Sequence, residues 1–140
     1  MGYTHYWTPA SQTDDLTWQK FLVASRRVVE LAQERGIALR GPMGWGDTQP
    51  DLLDRIALNG CADKNQDHES FVIPRPPAEG WDFCKTAYKP YDVVVTAILA
   101  LGEHLKLLTA TSDGGADDWQ DGIKLASEAL GETVSLPQEL

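Results

Sequence analysis

Residues 93–105, VVVTAILALGEHL, are apolar nearly all the way round a helical wheel. Val93, Val94, Val95, Ala97, Ile98, Leu99 and Leu101 leave no polar stripe. Exposing any face of such a helix to water is unfavourable, so other elements must enclose it on all sides. The run is too short to cross a bilayer, which needs about 20 residues, and no membrane partner is expected. The chain has 140 residues, the size of one domain spanning 1–140. A domain of that size buries roughly two-thirds of its unfolded surface and needs no disulfide or metal to hold a core. With 42% apolar and 24% charged residues, the composition is that of a folded chain.

The flanking segments supply the enclosure. Residues 3–7, YTHYW, are aromatic and β-branched and read as an opening strand. Asp14 or Asp15 then caps a helix whose Trp18, Phe21, Leu22, Ser25, Val28, Val29 and Ala32 recur at spacings of three and four. Gly36 ends it. Residues 37–39 read as a short strand, and 41–50 as a loop rich in glycine and proline. Strands at 55–60 and 69–74, separated by the polar stretch 61–68, predict an extended hairpin. Pro74, Pro76, Pro77 and Gly80 predict irregular structure over 75–89. Asp92 is the expected N-cap of the apolar helix. A strand at 107–111 follows, then a helix capped by Asp117, with Trp119, Ile123, Ala126 and Leu130 on one face and Gly131 at its end. The tail, 132–140, is expected to be mobile. This order predicts an α+β fold: a mainly antiparallel sheet with helices packed on one face, a ferredoxin-like variant with an extra C-terminal helix.

Charge narrows the partners. The formal net charge is −9, with 12 basic residues against 21 acidic ones. Binding to double-stranded nucleic acid draws on many phosphate contacts, so that partner is not expected. No signal peptide is visible, and Gly2 is followed by a poor myristoylation context. Cys61 and Cys84 are therefore expected as free thiols in a reducing cytoplasm. Five tryptophans and four tyrosines give more aromatic surface than one small core readily absorbs, which predicts a homo-oligomer.

Several residues could carry chemistry. The opening strand puts Tyr3, His5 and Trp7 on one sheet face and Thr4 and Tyr6 on the other. One face must be core; the other offers groups that stack on a base or sugar. Lys85 and Lys89 precede a helix start and, with Arg75, could hold an anion. The competing reading is an ordinary loop with Trp81, Phe83 and Tyr91 as core plugs. Cys84 beside Lys85 could be a nucleophile, although cysteine is more often simply buried. His68 and Glu69 form a candidate acid–base pair or a solvated hairpin end. No close pair of ligands predicts a metal site, and residues 111–119 lack the spacing of a calcium loop. No cofactor is expected.

The blocks GYTHYW, HESFVIPR, FCKTAYKPYD and SDGGADDW cover most of the chain. They resemble a family of small uncharacterised bacterial and phage proteins. The resemblance implies that Tyr3, His5, Lys85, Lys89 and Asp92 matter, and that arginine stands elsewhere where this chain has Tyr88. The resulting expectation is a binder of a small anionic, nucleotide-like ligand at Tyr3, His5, Trp7, Arg75, Lys85, Lys89 and Asp92. Phage-type sequestration of an immune signalling nucleotide is its natural use, in the host cytoplasm. The alternatives are a small hydrolase or transferase using His5, His68 with Glu69, or Cys84, and an oligomeric interaction protein.

Overall fold

The computed structural model describes residues 3–75 and 79–140. Gly2, Pro76 and Pro77, invoked above, lie outside the described residues. The elements in chain order are β1 (Thr4–Pro9), α1 (Asp15–Glu34), β2 (Leu39–Arg40), β3 (Ile56–Gly60), β4 (Phe71–Ile73), β5 (Asp82–Lys85), α2 (Asp92–His104), β6 (Leu108–Ser112) and α3 (Ala116–Leu130), with two short 3-10 turns between β2 and β4. The fold is α+β and all strand pairs are antiparallel. The strands form two three-stranded sheets, β5-β1-β6 and β2-β3-β4, where a single sheet was expected. β1 and β6 pair with each other and not with β2, β3 or β4, which separates the sheets, and β5 is an added strand. It falls inside 75–89, read from its prolines as irregular, and it pairs with β1.

The apolar helix is central. Every residue of α2 from Val94 to Gly102 is buried, and the helix packs against α1, α3 and β6. The amphipathic face of α1 buries Trp18, Phe21, Leu22, Ser25, Val28, Val29 and Ala32, and Asp14 accepts from the Thr17 backbone N–H at 2.7 Å as its N-cap. Two other caps differ from expectation. Asp92 is the first residue inside α2, after Tyr91, and its carboxylate is drawn sideways to partners described below. α3 begins after Gly115, whose N–H donates to Asp118 rather than Asp117. The tail packs back onto the helices. Val134 is buried, its N–H donates to Ser127, and the Gln138 N–H donates to Glu103.

Glu69 joins the two sheets. Its N–H donates to the Lys85 carbonyl, and its side chain accepts from the Lys85 N–H at 2.7 Å, so it covers the outer edge of β5. In the hairpin β3–β4, buried Asn59 holds the connecting loop by donating to the His68 carbonyl and accepting from the His68 N–H.

Candidate functional site

β1 is the middle strand of its sheet, so its alternation sorts side chains onto two faces. The face with Tyr3, His5 and Trp7 points into the core. Trp7 is 2% exposed and packs edge-on against Phe71. Its ring is enclosed in the core rather than free at the surface. Tyr3 is also 2% exposed, and His5 is fully enclosed.

Burying a histidine is unfavourable unless both ring nitrogens find partners. His5 has both. Nδ1 lies 2.8 Å from Ser112 Oγ on β6, and Nε2 lies 2.6 Å from Asp92 Oδ1 on α2. Asp92 also accepts from the Thr86 hydroxyl at 2.5 Å, and Ser112 Oγ accepts from the Gly114 N–H at 2.9 Å. A carboxylate only accepts, so Nε2 carries the proton shared with Asp92. In the neutral ring Nδ1 then accepts, and the Ser112 hydroxyl donates to it. Tyr3 and Trp119 meet the imidazole edge-to-face, with centroids 4.8 and 5.2 Å away, and fix its plane. The Tyr3 hydroxyl is buried beside Ser112 and meets no partner at normal hydrogen-bond length among the described residues. Burial, with the charges of Asp92 and Asp118, pushes its pKa well up, so it stays protonated.

Above Tyr3 lies Tyr88, stacked at 3.7 Å and 65% exposed. Ala87 and Tyr88 are consecutive non-glycine residues at positive φ, 52° and 61°. That backbone is strained, and such strain persists only where the surroundings impose it.

The other face of β1 is partly open: Thr4 is buried, Tyr6 half-buried and Thr8 exposed. Tyr6 lies between β5 and β6, and its cross-strand neighbours are Phe83 and Thr111. Trp81, 64% exposed, sits 6.2 Å from Tyr6 and 5.7 Å from Phe83, itself 48% exposed. Two hollows flank this aromatic row. One, of about 320 Å³, is lined by Thr4, Tyr6, Glu69, Trp81, Phe83 and Lys85. The other, of about 440 Å³, is lined by Tyr6, Trp7, Thr8, Trp81, Thr109, Thr111 and Glu139. The Tyr6 hydroxyl donates to Asp113 Oδ1 at 3.1 Å.

The three expected cations do not converge. Lys85 stands at the aromatic row. Lys89 donates to the Asn65 carbonyl at 3.1 Å. Arg75 pairs with Asp15 at 2.5 Å and lies 5.2 Å over the Trp18 ring. Asp92 serves His5. The alternative catalytic residues are likewise dispersed. Cys84 is completely buried, and burial pushes its thiol up to about 12, which leaves no thiolate to attack with. His68 is exposed, and Glu69 is occupied by the Lys85 N–H. Ser112 was not singled out from the sequence; only the β1–β6 register shows that it faces His5. Among the described residues, no three His, Cys, Asp or Glu side chains converge as metal ligands. No helix there is long and apolar enough to cross a membrane. Neither a family model nor a curated protein nor a solved structure matches this chain.

Proposed function

We propose that the partly open face of the β5-β1-β6 sheet binds a planar, nucleobase-like ligand carrying a single negative group. The observation behind this reading is the row Tyr6, Trp81 and Phe83. Trp81 and Phe83 stand exposed on this sheet face, and half-buried Tyr6 lies within aromatic range of Trp81. Stacking a base on such a ring contributes about 1–3 kcal/mol and tolerates any base. Thr4 and Thr111 supply hydroxyls beside the rings. Lys85, which has no ion pair among the described residues, supplies one positive charge. Glu69, Glu139 and Asp113 rim the same face, so a ligand with several phosphates is repelled. The hollows match the volumes that small-molecule sites occupy. The resemblance to phage proteins makes sequestration of an immune signalling nucleotide, in the host cytoplasm, the biological use of this reading.

The test is calorimetric titration of nucleosides and mononucleotides, with tryptophan emission as a second readout. Binding that quenches Trp81 and is lost in Trp81→Ala supports the proposal. No heat with any member of the panel removes it. A second reading draws on the same exposed Trp81 and Phe83: they suit contact with a second copy of the chain, forming a homo-oligomer. Three of the five tryptophans, Trp7, Trp18 and Trp119, are absorbed by the core, which leaves Trp45 and Trp81 for such contacts. A light-scattering mass above one chain that falls in Trp81→Ala favours this second reading.

A further inference from the structure

We infer that Ser112 is the nucleophile of an acyl-transfer site, with His5 as its base and Asp92 holding His5 in place. The site lies at the end of the sheet, on the face opposite the aromatic row, and does not depend on ligand binding there.

Three independent features carry the inference. The first is the chain Ser112 Oγ–His5 Nδ1–His5 Nε2–Asp92 Oδ1, with hydrogen bonds of 2.8 and 2.6 Å. A nucleophile, a base and a group orienting the base, all within hydrogen-bond reach, form the arrangement that activates a hydroxyl. The ring nitrogens are used in the opposite sense to the serine-protease triad, which leaves the proton path unchanged. The second is the Tyr3 hydroxyl. A Cβ placed on Gly114 would lie 2.6 Å from it, and the Gly114 N–H bonds Ser112 Oγ, so the phenol stands beside the nucleophile. It is buried and protonated, meets no partner at normal hydrogen-bond length among the described residues, and has Ser112 as its nearest hydroxyl neighbour, so it can turn to an oxyanion formed on Ser112. A merely structural Ser–His contact needs no such donor. The third is the strained pair Ala87 and Tyr88, which holds an exposed ring over Tyr3.

The reaction balances with water as the only co-reactant. Ser112 Oγ bonds to the ester carbonyl carbon while its proton moves to His5 Nδ1. The oxyanion accepts from the Tyr3 hydroxyl. Collapse breaks the bond to the leaving alcohol, which takes the proton from Nδ1 and departs. Water, deprotonated by Nδ1, then attacks the acyl-serine; collapse breaks the bond to Ser112 Oγ, which takes the proton back from Nδ1, and the acid is released. The neighbouring carboxylates of Asp117 and Asp118 are exposed around this end of the sheet, so the acyl group is uncharged or cationic.

The experiment uses the intact chain, a small neutral fluorophosphonate and p-nitrophenyl acetate. The expected result is one phosphonyl adduct per chain, mapped by peptide mass spectrometry to Ser112, and acetate-ester turnover that the adduct abolishes. Ser112→Ala should lose both while keeping its circular dichroism. Asp92→Asn should retain Ser112 and slow labelling at least tenfold. A chain that stays unlabelled, or labels elsewhere, overturns the inference. If Ser112→Ala fails to fold, the mapped position of the adduct on the native chain still decides. Ser112→Cys gives a second check: a thiol alkylated no faster than a free cysteine at pH 7 also overturns it, because His5 would then supply no activation.

Discussion

Gly122 of α3 sits so close to Thr96 of α2 that a methyl group added at Gly122 would stand 2.9 Å from Thr96 Cβ, and nearer still to its hydroxyl. The same methyl would meet the Ala97 backbone nitrogen at 3.0 Å. These are fixed parts of a buried helix, not the tips of flexible side chains. Helix propensity alone favours alanine over glycine by about 1 kcal/mol. Overpacking a tight contact costs about 1–3 kcal/mol. Gly122→Ala is therefore expected to destabilise the fold by up to about 2 kcal/mol, measured by urea unfolding. A gain in stability would show that α2 and α3 are not in this contact.

A charge placed in α2 should be far worse. Val94 and Ile98 are completely buried. Val94→Asp or Ile98→Asp should cost several kcal/mol, about 3–5 if the carboxylate stays ionised, and leave little folded protein at 25 °C. An unchanged thermal midpoint in either variant would contradict the central placement of this helix.

Cys84 ties stability to alkaline pH. Its folded value, about 12, lies above the ordinary thiol value, so the folded state holds the proton more tightly than the unfolded chain. Its contribution is fully present below the unfolded value and is lost as pH rises toward 12. The expected slope is about 1.4 kcal/mol per pH unit above pH 9. The raised phenols of Tyr3 and Tyr91 add to it above pH 10. Urea titrations from pH 8 to 10.5 should show the fall, shallower between pH 9 and 10 in Cys84→Ala. In the native protein at pH 8, Cys84 should resist iodoacetamide for hours.

Lys85 and Lys89 should separate in their effects. Lys85→Glu is expected to weaken mononucleotide binding at least tenfold and nucleoside binding little, because it reverses only the charge beside the rings. Lys89→Glu should leave affinity unchanged, since its ammonium group is spent on the Asn65 carbonyl. The mononucleotide affinity should also fall with added salt. Equal effects of the two substitutions would mean that the anion lies elsewhere.

Much of this architecture is legible in the residues. The spacing of Trp18 through Ala32, the wholly apolar run after Asp92 and the polar loop between β3 and β4 each point to one local structure. β5 is not legible, because four residues following a proline cluster carry too little periodicity; its alternation of Phe83 and Lys85 outward with Cys84 inward makes sense only beside β1. The faces of β1 are ambiguous for another reason. Both carry aromatic and polar side chains, so hydrophobicity does not say which is core. His5 is buried because Asp92 and Ser112 satisfy it, and both arrive from the far half of the chain. Only tertiary structure brings such partners together, and Ser112 in isolation is an unremarkable strand-end serine.

The placement of β1 between β5 and β6 also governs the order of folding. The strand is made long before its partners, the nearest positions it pairs with being Asp82 and Leu108. During synthesis an aromatic strand with both edges open must wait until residue 112 has left the ribosome. Non-local pairing of this kind is slow to form, and an unpaired edge invites association with other chains. The interval before β6 emerges is thus the time of greatest aggregation risk, and a chain halted short of β6 leaves one edge of β1 open for good.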